Sequence, residues 1–252
     1  MPDHDVRVDV VIPVYNEEHA LADSVARLHV FLGEHLPYDW RIMIADNASI
    51  DRTPALGRAL ERQYPRVGYL RLEQKGRGRA LRRAWLASAA DVVSYMDVDL
   101  STNLVAFPVL VDSIVEEGYD IAIGSRLKHG ARVTRQWRRE IISRAYNLLI
   151  KLIFPTRTFS DAQCGFKAVS RRAADHLIPI VENNAWFFDS ELLLRAEQHG
   201  YRIAEVPVEW IEDLDTRVKI VGTAMEDVKG LLRVRFTPKD GRSVPVEGGQ
   251  AA

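Results

Sequence analysis

Two carboxylates directly follow an apolar run in the stretch Val92-Val93-Ser94-Tyr95-Met96-Asp97-Val98-Asp99. A run of this length and composition is typical of a strand that is buried on both faces of a parallel sheet. Asp97 and Asp99 then lie at the carboxyl end of the strand, the edge at which open α/β sheets bind their ligands. Paired carboxylates in an apolar setting are costly unless a cation neutralises them, so the stretch predicts a hard divalent metal, Mg²⁺ or Mn²⁺, on Asp97 and Asp99. In an exposed loop the same pair would be two solvated acids.

Apolar runs alternate with helical periodicity on both sides of this stretch. The other strand-like runs cover residues 8–14, 41–45, 67–72 and 120–123. Between them, two sets of apolar residues recur at helical spacing: Leu21, Val25, Leu28 and Leu32, and then Leu56, Ala59 and Leu60. This alternation predicts an α/β fold with a mainly parallel central sheet flanked by helices. The chain has 252 residues, 47% of them hydrophobic, which is enough for one domain with a sizeable core.

The charge balance and the cysteine content exclude several classes of protein. The formal net charge of -1 provides no overall attraction for nucleic acid. Cys164 is the only cysteine, which excludes an intrachain disulfide and a thiolate metal cluster and favours a reducing, cytoplasmic compartment. No stretch approaches the roughly 20 apolar residues of a spanning helix, so we expect a chain that does not cross a membrane by itself. Residues 238–252, rich in Pro, Gly and Ser, are predicted to be a disordered tail after a domain covering residues 1–237.

Polar and basic residues follow the other strand-like runs, where ligands are expected. Pro13, Tyr15 and Glu17 lie at the end of the first run, in place of the glycine-rich turn of nicotinamide- and flavin-binding domains. Asp46 ends the second run, where a carboxylate can accept hydrogen bonds from a base or a ribose. After the third run, Lys75-Gly76 begins a basic turn that opens a helix and can approach a phosphate closely. An acidic first helical turn and helix capping are the local alternatives.

The order of these strand-end motifs resembles the family 2 glycosyltransferases. A second series further along the chain resembles the polyprenyl-phosphate sugar synthases, which include the dolichyl-phosphate mannose and glucose synthases. That series consists of Gly124-Ser125-Arg126, the spaced Arg139, Ser143 and Asn147, and the segments 160–167, 188–193 and 205–210. The resemblance covers residues 8–236, with residues 164–167 and Trp210 closer to the glucose branch. It implies a GT-A-type nucleotide-sugar-binding fold.

The resemblance also implies a role for each matching residue. The nucleotide-sugar residues would be Pro13, Tyr15, Glu17, Asp46, Lys75, Gly76, Asp97 and Arg217, with Arg217 covering the diphosphate. Asp97 and Asp99 would hold the metal, while Arg126 and Arg139 would meet the acceptor phosphate. The remaining candidates for sugar or acceptor contacts are Asp161, Asp189, Ser143 and Asn147. For the two aspartates helix capping is the structural alternative.

The chain departs from the family pattern in two places. Ser101 stands where mannose synthases can carry a metal-binding glutamine, so the metal shell would hold an extra water. No transmembrane segments follow the catalytic domain, although some relatives carry them, so we expect peripheral attachment to the cytoplasmic face of a membrane.

The reaction implied is inverting transfer of a sugar from a nucleotide sugar to a polyprenyl phosphate. UDP-glucose is the favoured donor, with GDP-mannose and a UDP-N-acetylhexosamine as alternatives. Because a phosphate nucleophile is already anionic near neutral pH, alignment and charge neutralisation matter more than a strong general base. Two other enzyme classes compete for the same residues: a haloacid-dehalogenase-type phosphatase that uses Asp97 and Asp99, and a sugar nucleotidyltransferase. A homo-oligomer and a separate membrane-embedded partner are left open.

Residues 126–154 form the strongest local charge asymmetry. Their basic residues are Arg126, Lys128, Arg132, Arg135, Arg138, Arg139, Arg144 and Lys151, against the single acid Glu140. A helix from Arg139 would align a polar stripe of Arg139, Ser143, Asn147 and Lys151 and an apolar face of Ile142, Tyr146, Leu149 and Ile153. With Trp137 beside the arginines, the segment predicts an acceptor-binding and membrane-facing element on an anionic surface. A core helix edged by surface arginines is the alternative.

Overall fold

The computed structural model of the chain describes residues 6–134, 137–211 and 220–237, with side chains described there except at 137–140 and 220–224. The predicted tail at 238–252 lies outside the described residues, as does Arg217. Within the described ranges, no helix has the length and apolar character needed to span a bilayer.

A seven-stranded sheet runs through the molecule in the order β3-β2-β1-β4-β7-β5-β8. Its strands are β1 (Arg7–Val14), β2 (Asp39–Asp46), β3 (Val67–Arg71), β4 (Val92–Met96), β5 (Ile121–Ser125), β7 (Phe166–Ser170) and β8 (Ile203–Pro207). Only β7 is antiparallel to its neighbours in this sheet, so the mainly parallel sheet is confirmed. The short strands β6 (Arg132–Thr134) and β9 (Glu209–Ile211) form a separate parallel pair. All the predicted strands are present, with ends within two residues of those expected.

Helices connect the strands and cover both faces of the sheet. They are α1 (Leu21–His35), α2 (Thr53–Gln63), α3 (Arg77–Ala87), α4 (Ala106–Val115), α5 (Trp137–Ile153), α6 (Arg171–Ile180), α7 (Phe188–Gln198) and α8 (Ile220–Phe236). The buried face of α1 is the predicted one. In α2 the prediction is wrong at Ala59, which is exposed, because the helix turns Gly57 inward against the Tyr69 ring.

Two apolar clusters, one on each face of the sheet, account for the apolar strands. In β1, Val11 packs on one side with residues of α3, α6 and α7, whereas Val10 and Ile12 pack on the other with residues of α1 and α4. A strand that is covered on both faces has a continuous run of apolar residues in its sequence.

Candidate active site

The carboxyl ends of β1, β2, β4 and β5 meet at one edge of the sheet. Because β7 runs antiparallel between β4 and β5, its amino end lies at the same edge. The backbone N–H of Asp97, after β4, donates to the carbonyl of Gly165, before β7, at 3.2 Å. A Cβ atom on residue 165 would overlap Oδ2 of Asp97. The glycine therefore provides the space that the half-buried Asp97 carboxylate occupies.

Arg77, at the start of α3, links two carboxylates of this edge. Its Nη2 donates to Oδ1 of Asp97 and its Nη1 to Oδ2 of Asp189, each at 2.6 Å. The guanidinium lies over the rings of Tyr95 and Trp186, 4.9 and 5.2 Å from their centroids. Burial would lower the pKa of this guanidinium, but the charges around it, Asp97 first, raise the pKa well above its usual value. Arg77 is thus a permanent cation between the two aspartates.

Sequence reasoning missed Arg77. Arg77 belongs to the basic turn after the third strand. Its position between two glycines, Gly76 and Gly78, is a signal in the sequence that could have singled it out as a site residue. Arg79, Arg82 and Arg83 follow within the same turn and helix, however, and only the packing of α3 against α7 shows which arginine points inward.

Asp189, in the first turn of α7, is buried among hydrogen-bond donors. Lys167 lies 3.1 Å from its Oδ1, and the hydroxyl of Tyr95 donates to the same oxygen. Burial would raise the pKa of this carboxyl, but the positive charges of Lys167 and Arg77 bring the pKa below its usual value. A carboxylate held ionised in this way is a poor general base, and its evident role is to orient Arg77 and Lys167. Its predicted acceptor contact stays a prediction.

Asp97 and Asp99 provide the oxygen ligands that a hard divalent cation prefers. Asp99 is exposed, and its Oδ1 accepts the backbone N–H of Ser101 at 2.9 Å. Leu100, directly after the two carboxylates, adopts a left-handed φ of 50°, which is uncommon for a residue other than glycine, and its backbone N–H donates to the carbonyl of Asp97 at 3.2 Å. The described residues contain no group of three or more His, Cys, Asp and Glu side chains that could hold an ion. Two carboxylates would supply only part of the ligand shell of Mg²⁺ or Mn²⁺.

Asp46, at the end of β2, is fully buried. Its carboxylate accepts the backbone N–H of Ser49 at 2.8 Å, the hydroxyl of Tyr69 at 2.5 Å and Nη1 of Arg71 at 3.1 Å. Burial and this hydrogen bond raise the pKa of Tyr69 to about 12. Asp46 shapes the turn after β2, and its contact to a nucleoside stays a prediction. The neighbouring Asn47 accepts the N–H of Gly76 through Oδ1, which joins this turn to the start of α3.

Lys75 and Tyr15 face each other at this edge of the sheet. The Lys75 ammonium lies 3.5 Å from the centroid of the Tyr15 ring. Pro13 pairs with Ala45 in the last part of β1, and the backbone N–H of Glu17 donates to Oγ1 of Thr53 at 2.8 Å. The structure thus places Pro13, Tyr15, Glu17, Asp46 and Lys75 at the carboxyl ends of three neighbouring strands, β1, β2 and β3.

A side chain also closes the turn before α2. Asp51 Oδ1 accepts the Thr53 N–H, two residues on, at 2.9 Å.

Arg126, after β5, forms a bidentate ion pair with Asp161. Its Nε and Nη2 donate to the two carboxylate oxygens at 2.8 and 2.9 Å, and its backbone N–H donates at 3.1 Å. Burial opposes both charges, yet the pairing raises the pKa of Arg126 and lowers the pKa of Asp161. The guanidinium also lies 5.5 Å from the centroid of the Trp210 ring. Asp161 therefore orients Arg126 rather than capping a helix.

Two members of the polar stripe predicted on α5, Ser143 and Asn147, turn inward, whereas Lys151 is exposed. Ser143 and Asn147 are both buried. Asn147 Oδ1 accepts the backbone N–H of Ala162 at 3.2 Å, and its Nδ2 donates to the carbonyl of Ser143 at 3.0 Å. Asn147 thus attaches α5 to the loop that carries Asp161. The backbone of Arg139 lies in α5, but its side chain is outside the described part of the structure.

Together, the mainly parallel sheet, the aspartate pair after β4 and the basic start of α3 define a GT-A-like glycosyltransferase. Residues 9–178 match the family described as Glycosyl transferase family 2, and the chain belongs to this family. Glycosyltransferase AglD of Haloferax volcanii is 35% identical over 250 residues, 97% of this chain and 40% of that protein. This chain therefore spans less than half of that relative's length.

Two further comparisons are consistent with this family and with its fold. A dolichyl-phosphate beta-glucosyltransferase of Drosophila melanogaster is 31% identical over 221 residues, 82% of this chain and 68% of that protein. A crystal structure of glucosyl-3-phosphoglycerate synthase from Mycobacterium tuberculosis, with Mn²⁺, UDP-glucose and phosphoglyceric acid, has a TM-score of 0.70 and 21% identity, and covers 94% of this chain and 82% of its own. The latter likeness shows the fold.

The competing enzyme classes are not favoured. The phosphatase motif normally follows the first strand of its fold, whereas Asp97 and Asp99 follow β4. The match to Glycosyl transferase family 2 does not favour a nucleotidyltransferase.

Proposed function

We propose that this chain transfers a sugar, with inversion, from a nucleotide sugar to a polyprenyl phosphate. The proposal rests on Asp97 and Asp99 at the end of β4, beside buried arginines, in a chain similar to dolichyl-phosphate beta-glucosyltransferases. A phosphate oxygen of the acceptor forms the new bond to the anomeric carbon as the bond from that carbon to the diphosphate breaks. The nucleoside diphosphate then leaves.

UDP-glucose is the donor that we favour. The similarity to beta-glucosyltransferases supports glucose, and the structural neighbour crystallised with UDP-glucose supports UDP. GDP-mannose and a UDP-N-acetylhexosamine are the competing donors, because hydroxyl and base selectivity depend on individual contacts. Tyr15, Glu17, Asp46 and Lys75 would line the nucleoside side.

Mg²⁺ or Mn²⁺ would be held by Asp97 and Asp99. Such an ion neutralises the charge that develops on a leaving diphosphate. Arg77 orients Asp97 through a hydrogen bond of 2.6 Å to its Oδ1, and Arg217 would cover the diphosphate.

At the acceptor-binding part of the site, positive charge that binds the acceptor phosphate matters more than a general base. Arg126, oriented by Asp161, and Arg139 would meet the acceptor phosphate. Two buried carboxylates of the site, Asp161 and Asp189, have lowered pKa values despite burial, because arginine and lysine charges stabilise their ionised forms. This supports a nucleophile that arrives already ionised.

We place the reaction at the cytoplasmic face of a membrane, with the chain attached peripherally. The acceptor is a lipid, and the basic segment 126–154 would lie against anionic headgroups.

The test is transfer from radiolabelled donors. The protein is incubated with polyprenyl phosphate, Mg²⁺ or Mn²⁺, and labelled UDP-glucose, GDP-mannose or UDP-N-acetylglucosamine, followed by extraction into organic solvent. We expect label in the organic phase with UDP-glucose, none without metal, and none from Asp99→Asn. Glu34→Gln, at an exposed acid in the last turn of α1 and so at the opposite end of the sheet, is the matched control. Label confined to the aqueous phase with every donor would overturn the proposal.

A further inference from the structure

Two neighbouring helices, α5 and α8, leave apolar stripes in solvent. On α5 the stripe consists of Ile141, Ala145, Leu148 and Leu152, and on α8 of Met225, Val228, Leu232 and Phe236. Leu152 is 72% exposed and Phe236 is 77% exposed. The two stripes are called the α5/α8 face below. The α5 stripe differs from the predicted apolar face, of which Tyr146, Leu149 and Ile153 pack against the core and Ile142 is exposed.

The spacing of the stripes is that of one helix face. Ile141, Leu148 and Leu152 follow one another at intervals of seven and four residues, and Met225, Leu232 and Phe236 repeat those intervals. Residues so spaced stand nearly above one another on an α-helix. Large side chains aligned in this way and left in water are typical of a surface that docks on something apolar.

Positive charge borders the α5/α8 face. Arg144, Lys151, Lys229 and Arg235 are exposed beside the stripes, whereas Glu226 is the only exposed acid among residues 141–153 and 225–236. An anionic lipid surface complements both the apolar stripes and the basic border. A second copy of the chain does not, because it would bring like charges together.

The inner sides of the same two helices hold the loop that carries Asp161. Asn147 of α5 binds the backbone of Ala162 at 3.2 Å, and Asp227 of α8 accepts from Gln163 Nε2 at 3.4 Å. The loop also contains Asp161, which orients Arg126. The α5/α8 face is therefore the outer side of the two helices that support the proposed acceptor site.

We infer that the α5/α8 face docks on an anionic lipid bilayer, inserting its leucines and Phe236 among the acyl chains. The inference rests on the proposed function for its purpose: docking places a lipid-borne phosphate beside the loop that orients Arg126. It extends the membrane contact from the basic segment 126–154 to α8. It also replaces the predicted apolar face of α5 with the neighbouring stripe of Ile141, Ala145, Leu148 and Leu152.

The first test is vesicle co-sedimentation without any substrate. The probes are vesicles of phosphatidylcholine alone and vesicles containing about a third phosphatidylglycerol, at low and high salt. The variant Leu148→Gln/Leu152→Gln/Leu232→Gln removes three exposed side chains, and Val30→Gln/Val105→Gln/Val109→Gln is the matched control on α1 and α4. We expect the leucine variant to lose binding to the anionic vesicles by roughly tenfold or more and the valine variant to bind as the unmodified chain does. Equal binding by both variants would overturn the inference.

The basic residues that border the α5/α8 face provide a second test. Lys151→Gln/Lys229→Gln/Arg235→Gln should weaken binding to anionic vesicles by about two orders of magnitude at low salt, and much less at high salt. Analytical ultracentrifugation of the unmodified chain tests the other occupant. A concentration-dependent dimer that the leucine variant abolishes would assign the face to a second copy and overturn the lipid assignment.

A transfer assay tests the docking inference separately from the proposed function. Transfer is measured to a short, water-soluble prenyl phosphate and to a long-chain polyprenyl phosphate embedded in vesicles. The leucine variant should retain transfer to the soluble acceptor and lose transfer to the embedded one. Absence of transfer by the unmodified chain to either acceptor refutes the proposed function, while the co-sedimentation result still decides the docking inference.

Discussion

Gly165 lies so close to the Asp97 carboxylate that a Cβ atom at position 165 would overlap Oδ2. The contact joins the end of β4 to the start of β7, two strands that are far apart in the sequence but adjacent in the sheet. Even the smallest side chain at position 165 must therefore displace a carboxylate of the proposed metal site.

Gly165→Ala is expected to lower transfer by roughly tenfold or more, because Asp97 has to move away from Arg77 and the metal position. Steady-state kinetics and thermal unfolding, measured together, check this. Gly33→Ala in α1 is the control, since a Cβ there meets only Trp40 at an ordinary 3.8 Å. Unchanged kinetics in Gly165→Ala would show that the Asp97 position is unimportant.

Arg77→Gln is expected to reduce turnover and to change the metal concentration that gives half-maximal activity, because Asp97 loses its cationic partner. Arg77→Lys should restore little, since a single ammonium cannot bridge Asp97 and Asp189 as the guanidinium does. Metal titrations of turnover measure both effects. Arg83→Gln, at an exposed position of the same helix, is the control. A metal response in Arg77→Gln identical to that of the unmodified chain contradicts the prediction.

Asp99→Asn is expected to lower turnover by orders of magnitude with little loss of stability, because it removes a charged metal ligand from an exposed position. Asp97→Asn should be milder. The measurement is turnover at limiting Mn²⁺, with the melting temperature as a check on folding. Near-normal turnover of Asp99→Asn under these conditions means that the metal lies elsewhere.

Asp46→Asn is expected to weaken UDP binding in the absence of acceptor, since the predicted contact is to the nucleoside. Its carboxylate also accepts from Ser49, Tyr69 and Arg71, so a purely structural effect has to be separated. Tyr69→Phe removes one of these hydrogen bonds and leaves the carboxylate in place. Isothermal titration of UDP into both variants separates the two effects. If both variants lose the same affinity for UDP, Asp46 acts only by shaping the turn after β2.

The raised pKa of Asp227 leads us to expect that the stability of the folded chain depends on pH. Burial, together with the charge of Glu226, raises the pKa of this carboxyl to about 7 in the folded chain, against about 4 when unfolded. The folded state therefore binds the extra proton between these values, and stability falls as the pH rises from about 4 to about 7. Asp227→Asn avoids the cost of the buried charge. Its melting temperature, relative to the unmodified chain, should increase over that window and level off above about pH 7. A difference that does not vary with pH contradicts the raised pKa.

Much of the fold was predictable because strand and helix periods are local. The run before Asp97, the leucine spacing of α1 and the polar residues after β1, β2 and β3 each depend on a few consecutive residues. The carboxyl edge of the sheet follows from those runs, since parallel strands end together. The mispredicted Ala59 shows the limit, because the Tyr69 ring that turns Gly57 inward comes from another element.

The amino-acid sequence by itself determined the α/β class, the aspartate pair at a strand end and the family resemblance, because each of these is contained in short segments and their order. Only the tertiary structure decided that β7 inserts between β4 and β5, which brings Gly165 to Asp97. It also decided that Arg77 points inward and that Asn147 turns to the loop while Leu148 and Leu152 face solvent. The physical reason is that strand order and the inward side of a helix are set by packing between distant segments, and local periodicity does not record which neighbour a face will meet.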